Sequence, residues 1–328
     1  MSNKNILIDK YLDKFPNVAN KTLASKIYNE NKLLFKSAEV VRSAIRNRRG
    51  SNGAGSLKKL HSDKYLSPEK RILKYNLPTA IETDYQPYLI IGNRGLIFGD
   101  IHIPFHSVPA LNTMFDYVSN LDFDFILLDG DVMDCFEVSN FNHEPDLVSF
   151  KEERDKTKEF IIELKRLYPK TKIYYKFGNH EKRFEIYLMS KAPEIFGLPE
   201  FRLDIILDLY NLGVEYIPED RYIDLSGLHI IHGHEYKNAI TSPANPARTT
   251  YLRAKDSALV AHYHQSSEHT EPSIGGKVVT CWSIGCMCEL HPKYMPLNRW
   301  NHGFAIYERE DEKFWHVQNK RIIDNRVV

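Results

Sequence analysis

From about residue 88 onward, short apolar runs alternate with segments whose apolar residues recur at helical spacing. The runs Leu96-Ile97-Phe98, Phe125-Ile126-Leu127-Leu128, Ile173-Tyr174-Tyr175, Leu228-His229-Ile230-Ile231 and Ala258-Leu259-Val260-Ala261 predict buried strands, because a strand covered on both faces loses the polar alternation of a half-exposed one. Between them, the segment 150–167 puts Phe160, Ile161, Leu164 and Leu167 on one stripe and stops before Pro169, which predicts an amphipathic helix. Val278-Val279, Phe304-Ala305-Ile306-Tyr307 and Phe314-Trp315-His316-Val317 predict further strands, with a turn at Glu310-Asp311-Glu312. The alternation predicts an α/β domain over 88–328.

The front of the chain follows another period. Leu7, Tyr11 and Phe15 recur every four residues, Pro16-Asn17 interrupts, and Thr22 is placed to cap a second helix carrying Leu23 and Ile27. A third helix starts at Ser37, buries Val41 and Ile45, and lines another face with Arg42, Arg46 and Arg49. Residues 1–49 thus read as a small helix-turn-helix-like module whose arginine face is the expected contact with DNA or RNA, against the alternative of a solvated helix packed on the main domain. The Gly- and Ser-rich run 50–56 reads as a hinge, and 50–87 as hinge and connector.

Charge sharpens the division. Residues 1–60 hold 13 Lys and Arg against 4 Asp and Glu, a surplus of nine, while the whole chain is only +1. A basic front on an acidic body predicts an arm drawn to polyanions and a domain whose carboxylates serve another purpose. With 42% hydrophobic residues the chain has the material for a large core, which excludes general disorder. No apolar run approaches the ~18 residues of a membrane helix, and the opening MSNKNILIDK lacks a signal-peptide core. The expected setting is therefore the cytoplasm, with no membrane partner. The four cysteines, Cys135, Cys281, Cys286 and Cys288, form no CxxC pair and read as reduced core thiols, Cys286-Met287-Cys288 included.

The predicted strands end alike. They run into Gly99-Asp100-Ile101-His102, Asp129-Gly130-Asp131-Val132-Met133-Asp134, Gly178-Asn179-His180-Glu181, His232-Gly233-His234 and Ala261-His262-Tyr263-His264. A lone Asp after Gly is usually a turn former and a lone His a structural residue. Five strands delivering Asp, His or Asn at the edge where open α/β sheets assemble their sites is a different matter. The ordered set, DxH, GDxxD, GNHE, HG and HxH, resembles the calcineurin-like metallophosphoesterase superfamily over about residues 94–264.

The resemblance implies a four-layer αββα sandwich with two divalent transition-metal ions at one edge. It implies that Asp100, His102 and His264 bind the first ion, that Asp131 bridges, and that Asn179, His232 and His262 complete the second. Manganese is the expected ion, with iron, zinc, nickel or cobalt as alternatives, since mixed imidazole and carboxylate ligation does not favour calcium or magnesium. Phosphate esters repel hydroxide, so their hydrolysis at neutral pH needs a local positive field and a deprotonated water, and two ions supply both. His180 is the expected proton donor to the leaving oxygen, with Asp134 orienting it. His234 is expected beside the pocket rather than on an ion.

Two departures from the family pattern bear on substrate. Cys135-Phe136 stands where the protein-phosphatase branch has Arg-Gly, so the phosphate-clamping Arg is missing unless Arg183, Arg248 or Arg253 replaces it, Arg183 being favoured. Ala261 stands where Gly is usual, with little effect expected. The loop 241–246 is expected to border the active site. These features favour a phosphodiesterase or nuclease acting on nucleic acid. A phosphomonoesterase is the alternative, and a catalytically silent nucleic-acid-binding regulator is the second. The residues single out no oligomeric state.

Overall fold

The computed structural model describes residues 3–50, 78–81, 85–140, 147–236, 243–311 and 314–328. The chain divides into two compact units, 1–83 and 84–328. The hinge run 51–56 and most of the expected connector fall outside the described residues.

The first unit contains helices α1 (Asn3–Lys14), α2 (Asn20–Glu30) and α3 (Ala38–Arg49). Ile8, Leu23, Ala24, Ile27, Phe35, Val41 and Ile45 close its core; Leu23, Ile27, Val41 and Ile45 are positions the pattern predicts, whereas in α1 Ile8 is the buried residue and Leu7, Tyr11 and Phe15 pack partly buried against the core. Ser37 caps α3, its hydroxyl accepting from Val40 N. Thr22 does not cap α2, which begins three residues earlier behind Ala19, with Thr22 inside its first turn. The chain after Pro16 has room to start the helix sooner than side-chain capping alone suggests.

The second unit is built on two sheets. Its strands are β1 (Tyr88–Leu89), β2 (Arg94–Phe98), β3 (Phe125–Asp129), β4 (Lys172–Lys176), β5 (Val214–Ile217), β6 (Ile223–Leu225), β7 (Leu228–Ile231), β8 (Ala258–Val260), β9 (Ser267–Pro272), β10 (Val278–Ser283), β11 (His302–Arg309), β12 (Trp315–Ile323) and β13 (Arg326–Val327). One sheet runs β13-β12-β11-β2-β3-β4-β5 and the other β1-β6-β7-β8-β10-β9. The main helices are α4 (Val108–Val118), α5 (Phe150–Leu167), α6 (Asn179–Lys191), α7 (Leu203–Ile206) and α8 (Pro246–Ala254).

Period-two alternation explains the layers. Along β2 and β3, Leu96, Phe98, Ile126 and Leu128 face one core, shared with Leu111 and Met114 of α4 and Ile161 and Leu164 of α5. Ile97, Phe125 and Leu127 face the other, where they meet Ile230, Leu259 and Trp282 of the second sheet. Ala247 of α8 packs on Ala258 and Cys281 across that sheet's far face. The order is helix, sheet, sheet, helix, the four-layer sandwich that the resemblance implies. Strands β2, β3 and β4 are mutually parallel, as are β7 and β8, so each set sends its carboxyl ends to one edge.

Candidate metal centre

At that edge the chain leaves each strand by a tight and partly strained route. Asp100, His102, Asp131, His262 and His264 all adopt positive φ, between 48° and 57°. Non-glycine residues held in this region cost roughly 1–3 kcal/mol each and cluster where geometry serves a site. Two glycines make room. A Cβ on Gly130, itself at φ 81°, would lie 2.3 Å from His232 Nδ1, and one on Gly178 would lie 2.2 Å from Asp131 Oδ1.

The side chains converge. His264 Nε2 lies 3.1 Å from Asp100 Oδ1 and 3.2 Å from His102 Nε2. His232 Nε2 lies 3.2 Å from Asp131 Oδ2. Among the described residues, His102, Asp131 and His180 form one group able to hold an ion, Asp131, His232 and His262 another, and His102, His264 and Cys288 a third. Asn179 heads α6, where its side-chain oxygen is buried with no hydrogen-bond partner, and His262 presents its backbone N–H to Asp100 Oδ2 at 2.8 Å. All seven expected ligands thus come to one edge, from strands up to 164 residues apart in sequence.

Outer contacts aim them. His102 Nδ1 and His180 Nδ1 both approach Asp134 Oδ1, at 2.7 and 2.9 Å, so one carboxylate fixes both rings. His232 Nδ1 donates to the Asp129 carbonyl at 2.7 Å, which turns its Nε2 inward. Glu181 is buried and accepts from the backbone N–H of Asp131, Val132, Met133 and Gly178 and from the Tyr175 hydroxyl, at 2.6–3.0 Å. It ties the β3 loop to the start of α6. Lys176, fully buried, pairs with Glu235 at 2.9 Å, and Glu235 accepts from the backbone N–H of His232 and Gly233. The roles of Glu181, Glu235 and Lys176 escape the motif reading.

The electrostatics are those of a site short of positive charge. Burial opposes a charge on His264, yet Asp100 pulls its pKa up to about 10. Burial likewise opposes charge on His232, and Asp131 outweighs it, holding that pKa well above the imidazole range. Burial pushes the Asp134 carboxyl up, and His180 and His102 overcome it to leave the group far below its usual value. His262 goes the other way, lowered to about 3 by burial and by His232. Protons thus sit where cations would relieve the same carboxylates. The orphaned Asn179 oxygen and the nitrogen- and oxygen-rich donor set fit transition-metal ions.

This sets a pH dependence. The folded, metal-free chain keeps a proton on His264 that the unfolded chain releases above about pH 6.5. Its contribution to stability is complete below that pH and is lost as pH rises toward about 10. The melting temperature of metal-free protein is expected to fall across this window, and added manganese, replacing the protons, to flatten the fall. A melting temperature that is level from pH 6.5 to 10 without metal contradicts this assignment.

The remaining predicted residues are placed as follows. Arg183 Nη2 lies 2.8 Å from His180 Nε2, and its Nη1 donates to the Asp134 carbonyl at 3.0 Å. Arg248 and Arg253, on α8, are exposed. Cys135 is buried in the core and Phe136 packs on Phe105 with ring centroids 5.3 Å apart. His234 is set back from the ions' ligands, its Nδ1 3.6 Å from Glu235. Thr241 and Ser242 of the predicted bordering loop lie outside the described residues, while Asn245 caps α8 by accepting from Arg248 N. In the first unit, Arg42 and Arg46 meet Glu39 at the exposed start of α3. Arg49 is committed internally, donating to the carbonyls of Phe15, Pro16 and Val18 and to Asn20.

The family model described as Calcineurin-like phosphoesterase matches residues 94–282. The chain belongs to the calcineurin-like phosphoesterase family. Membership brings metal-dependent hydrolysis of phosphate esters, and the matched span contains all seven expected ligands together with His180 and Asp134. No curated protein matches the chain. Among solved structures this calcineurin-like phosphoesterase is similar to a single mutant of Vps29 from Entamoeba histolytica, at 13% identity and TM-score 0.37, covering 72% of this chain and 96% of that one. It is also similar to Vacuolar Protein Sorting 29 from Cryptosporidium parvum, at 14% identity and TM-score 0.40, covering 72% and 95%. No helix among the described residues is long and apolar enough to cross a membrane.

Proposed function

We propose that the chain is a dinuclear phosphodiesterase acting on nucleic acid. The observation that supports the dinuclear reading is that Asp131 belongs to two donor groups, one with His102 and one with His232 and His262; in this reading Asp100 and His264 complete the first ion's ligands and Asn179 the second's. Bound there, divalent ions supply the positive field that draws in an anionic ester and lowers the pKa of water. The protein's own groups do the rest. His180 has its Nδ1 engaged by Asp134, while its Nε2, 3.7 Å from Asp131 Oδ2, meets Arg183 Nη2 at 2.8 Å; once Arg183 turns to a bound phosphate, Nε2 is released to carry the proton for the leaving oxygen. Arg183, held at His180 Nε2 and the Asp134 carbonyl, supplies the cation that Cys135-Phe136 cannot.

The basic surplus of residues 1–60 and the missing clamp after GDxxD favour a diester. The position of Arg183 favours the second reading, a monoesterase, since a guanidinium partner suits the extra charge of a terminal phosphate. Manganese-loaded protein is expected to turn over bis-nitrophenyl phosphate at least about tenfold faster than nitrophenyl phosphate, a difference of ~1.4 kcal/mol in barrier. The reverse order makes it a monoesterase, and inactivity on both leaves the regulator.

In the first unit, Arg42 and Arg46 are the residues proposed to meet phosphates. Their surface pairs with Glu39 contribute little and exchange readily for a phosphate partner. Replacing both by Ala in the full chain is expected to lower the slope of log affinity for DNA or RNA against log salt by about two. An unchanged slope removes them from the interface.

A further inference from the structure

Trp300 packs on His264, an expected ligand of the first ion. Its ring centroid lies 4.2 Å from that of His264, with the planes at 60°. Tyr294, 72% exposed, lies 6.3 Å from Trp300, and Met295 and Leu297 are 43% and 94% exposed in the same loop. Lys293 and Arg299 flank these side chains at exposed positions.

The loop is braced. Asn298 Nδ2 donates to the carbonyls of Leu290 and Met295 at 2.6 and 2.8 Å, while its Oδ1 accepts from Trp300 N at 2.9 Å. Asn301 N donates to the His264 carbonyl at 2.9 Å, and Asn301 Oδ1 accepts from Ser266 N at 2.8 Å. An aromatic and aliphatic surface held out of the core by such bonds, beside a ligand of the first ion, marks a binding surface. Aromatic rings interleaved with cations form the surface that binds single-stranded nucleic acid, where rings take bases and cations take phosphates.

We propose that Trp300 and Tyr294 form a stacking platform for a base carried next to the scissile phosphate, and that they set a preference for base-bearing single strands. The inference rests on the phosphodiesterase reading above. The indole packed on His264 is placed to meet a group esterified to a phosphate at the ion that Asp100, His102 and His264 would hold, and every nucleobase offers a face to it. Trp300 and Tyr294 are specificity residues and take no part in proton transfer.

The test compares full-length, manganese-loaded protein on two single-stranded oligomers of equal length and charge, one with all its bases and one an abasic sugar-phosphate chain. Wild type is expected to show kcat/KM about tenfold higher on the base-bearing strand, at the low end of one stacked base. Trp300→Ala and Tyr294→Ala are expected to bring that ratio toward one, and Trp300→Phe to keep most of it. The ratio is insensitive to a general loss of activity from disturbing His264. Equal cleavage of both strands by wild type, or an unchanged ratio in Trp300→Ala, overturns the platform while leaving the phosphodiesterase intact. Cleavage of neither strand by protein that still hydrolyses nitrophenyl phosphate overturns the nucleic-acid reading itself, and the platform with it.

Discussion

Asp131→Asn is expected to lose the paired metal centre and at least about a thousandfold in kcat/KM, more than 4 kcal/mol of transition-state stabilisation. Three imidazoles converge on the Asp131 carboxylate: His232 Nε2 at 3.2 Å, His180 Nε2 at 3.7 Å and His102 Nε2 at 4.0 Å. Its other oxygen accepts from the His180 backbone N–H at 2.8 Å, which already commits it in one direction. An amide of the same shape removes the charge that would offset the ions. If the oxygen keeps the His180 contact, the NH2 then points at the ligand nitrogens. The fold survives the change, because the loop is held by Glu181 through backbone donors that Asn leaves in place. Metal content and kcat/KM on the best ester measure it. Two ions per chain with kcat/KM within tenfold of wild type would remove Asp131 from the bridging role.

His180→Ala is expected to keep the metals and to cut kcat by about a hundredfold or more on esters with poor leaving groups, the range of one general acid. Nitrophenyl esters, whose leaving group departs without a proton, are expected to lose far less. His180 follows the expected ligand Asn179; its backbone N–H, which Ala keeps, holds Asp131 Oδ1, while on its ring burial is outweighed by Asp131 and Asp134 in raising the pKa. The split between leaving groups separates proton donation from substrate binding. An equal loss on good and poor leaving groups would assign His180, with Arg183, to holding the phosphate.

The apolar strand runs and the polar residues that follow them were legible because each is local. A buried parallel strand reads as a short apolar run, as Phe125 to Leu128 of β3 do, and ligands placed at its carboxyl end follow directly in sequence. The edge strand β9, Ser267–Pro272, was missed because it is polar throughout and half exposed, so it carries neither an apolar run nor a clear alternation of residue type. Strands β5 and β6 were missed because their short stretches lie among turns without a helical neighbour to frame them. What local pattern cannot carry is distance. Glu181 gathers donors from around residue 131, Asp134 serves His102 as well as His180, and Arg49 turns back to residues 15–20. A four-residue step along α3 puts Arg42 and Arg46 on one face, but it says nothing of the connection between α1 and α2 that Arg49 meets.

Anomalous diffraction from crystals of the full chain grown with manganese tests the central claim most directly. Two peaks are predicted, one touching Asp100, His102 and His264, the other Asn179, His232 and His262, with Asp131 shared between them. A single peak, or none within ligand distance of Asp131, would contradict it.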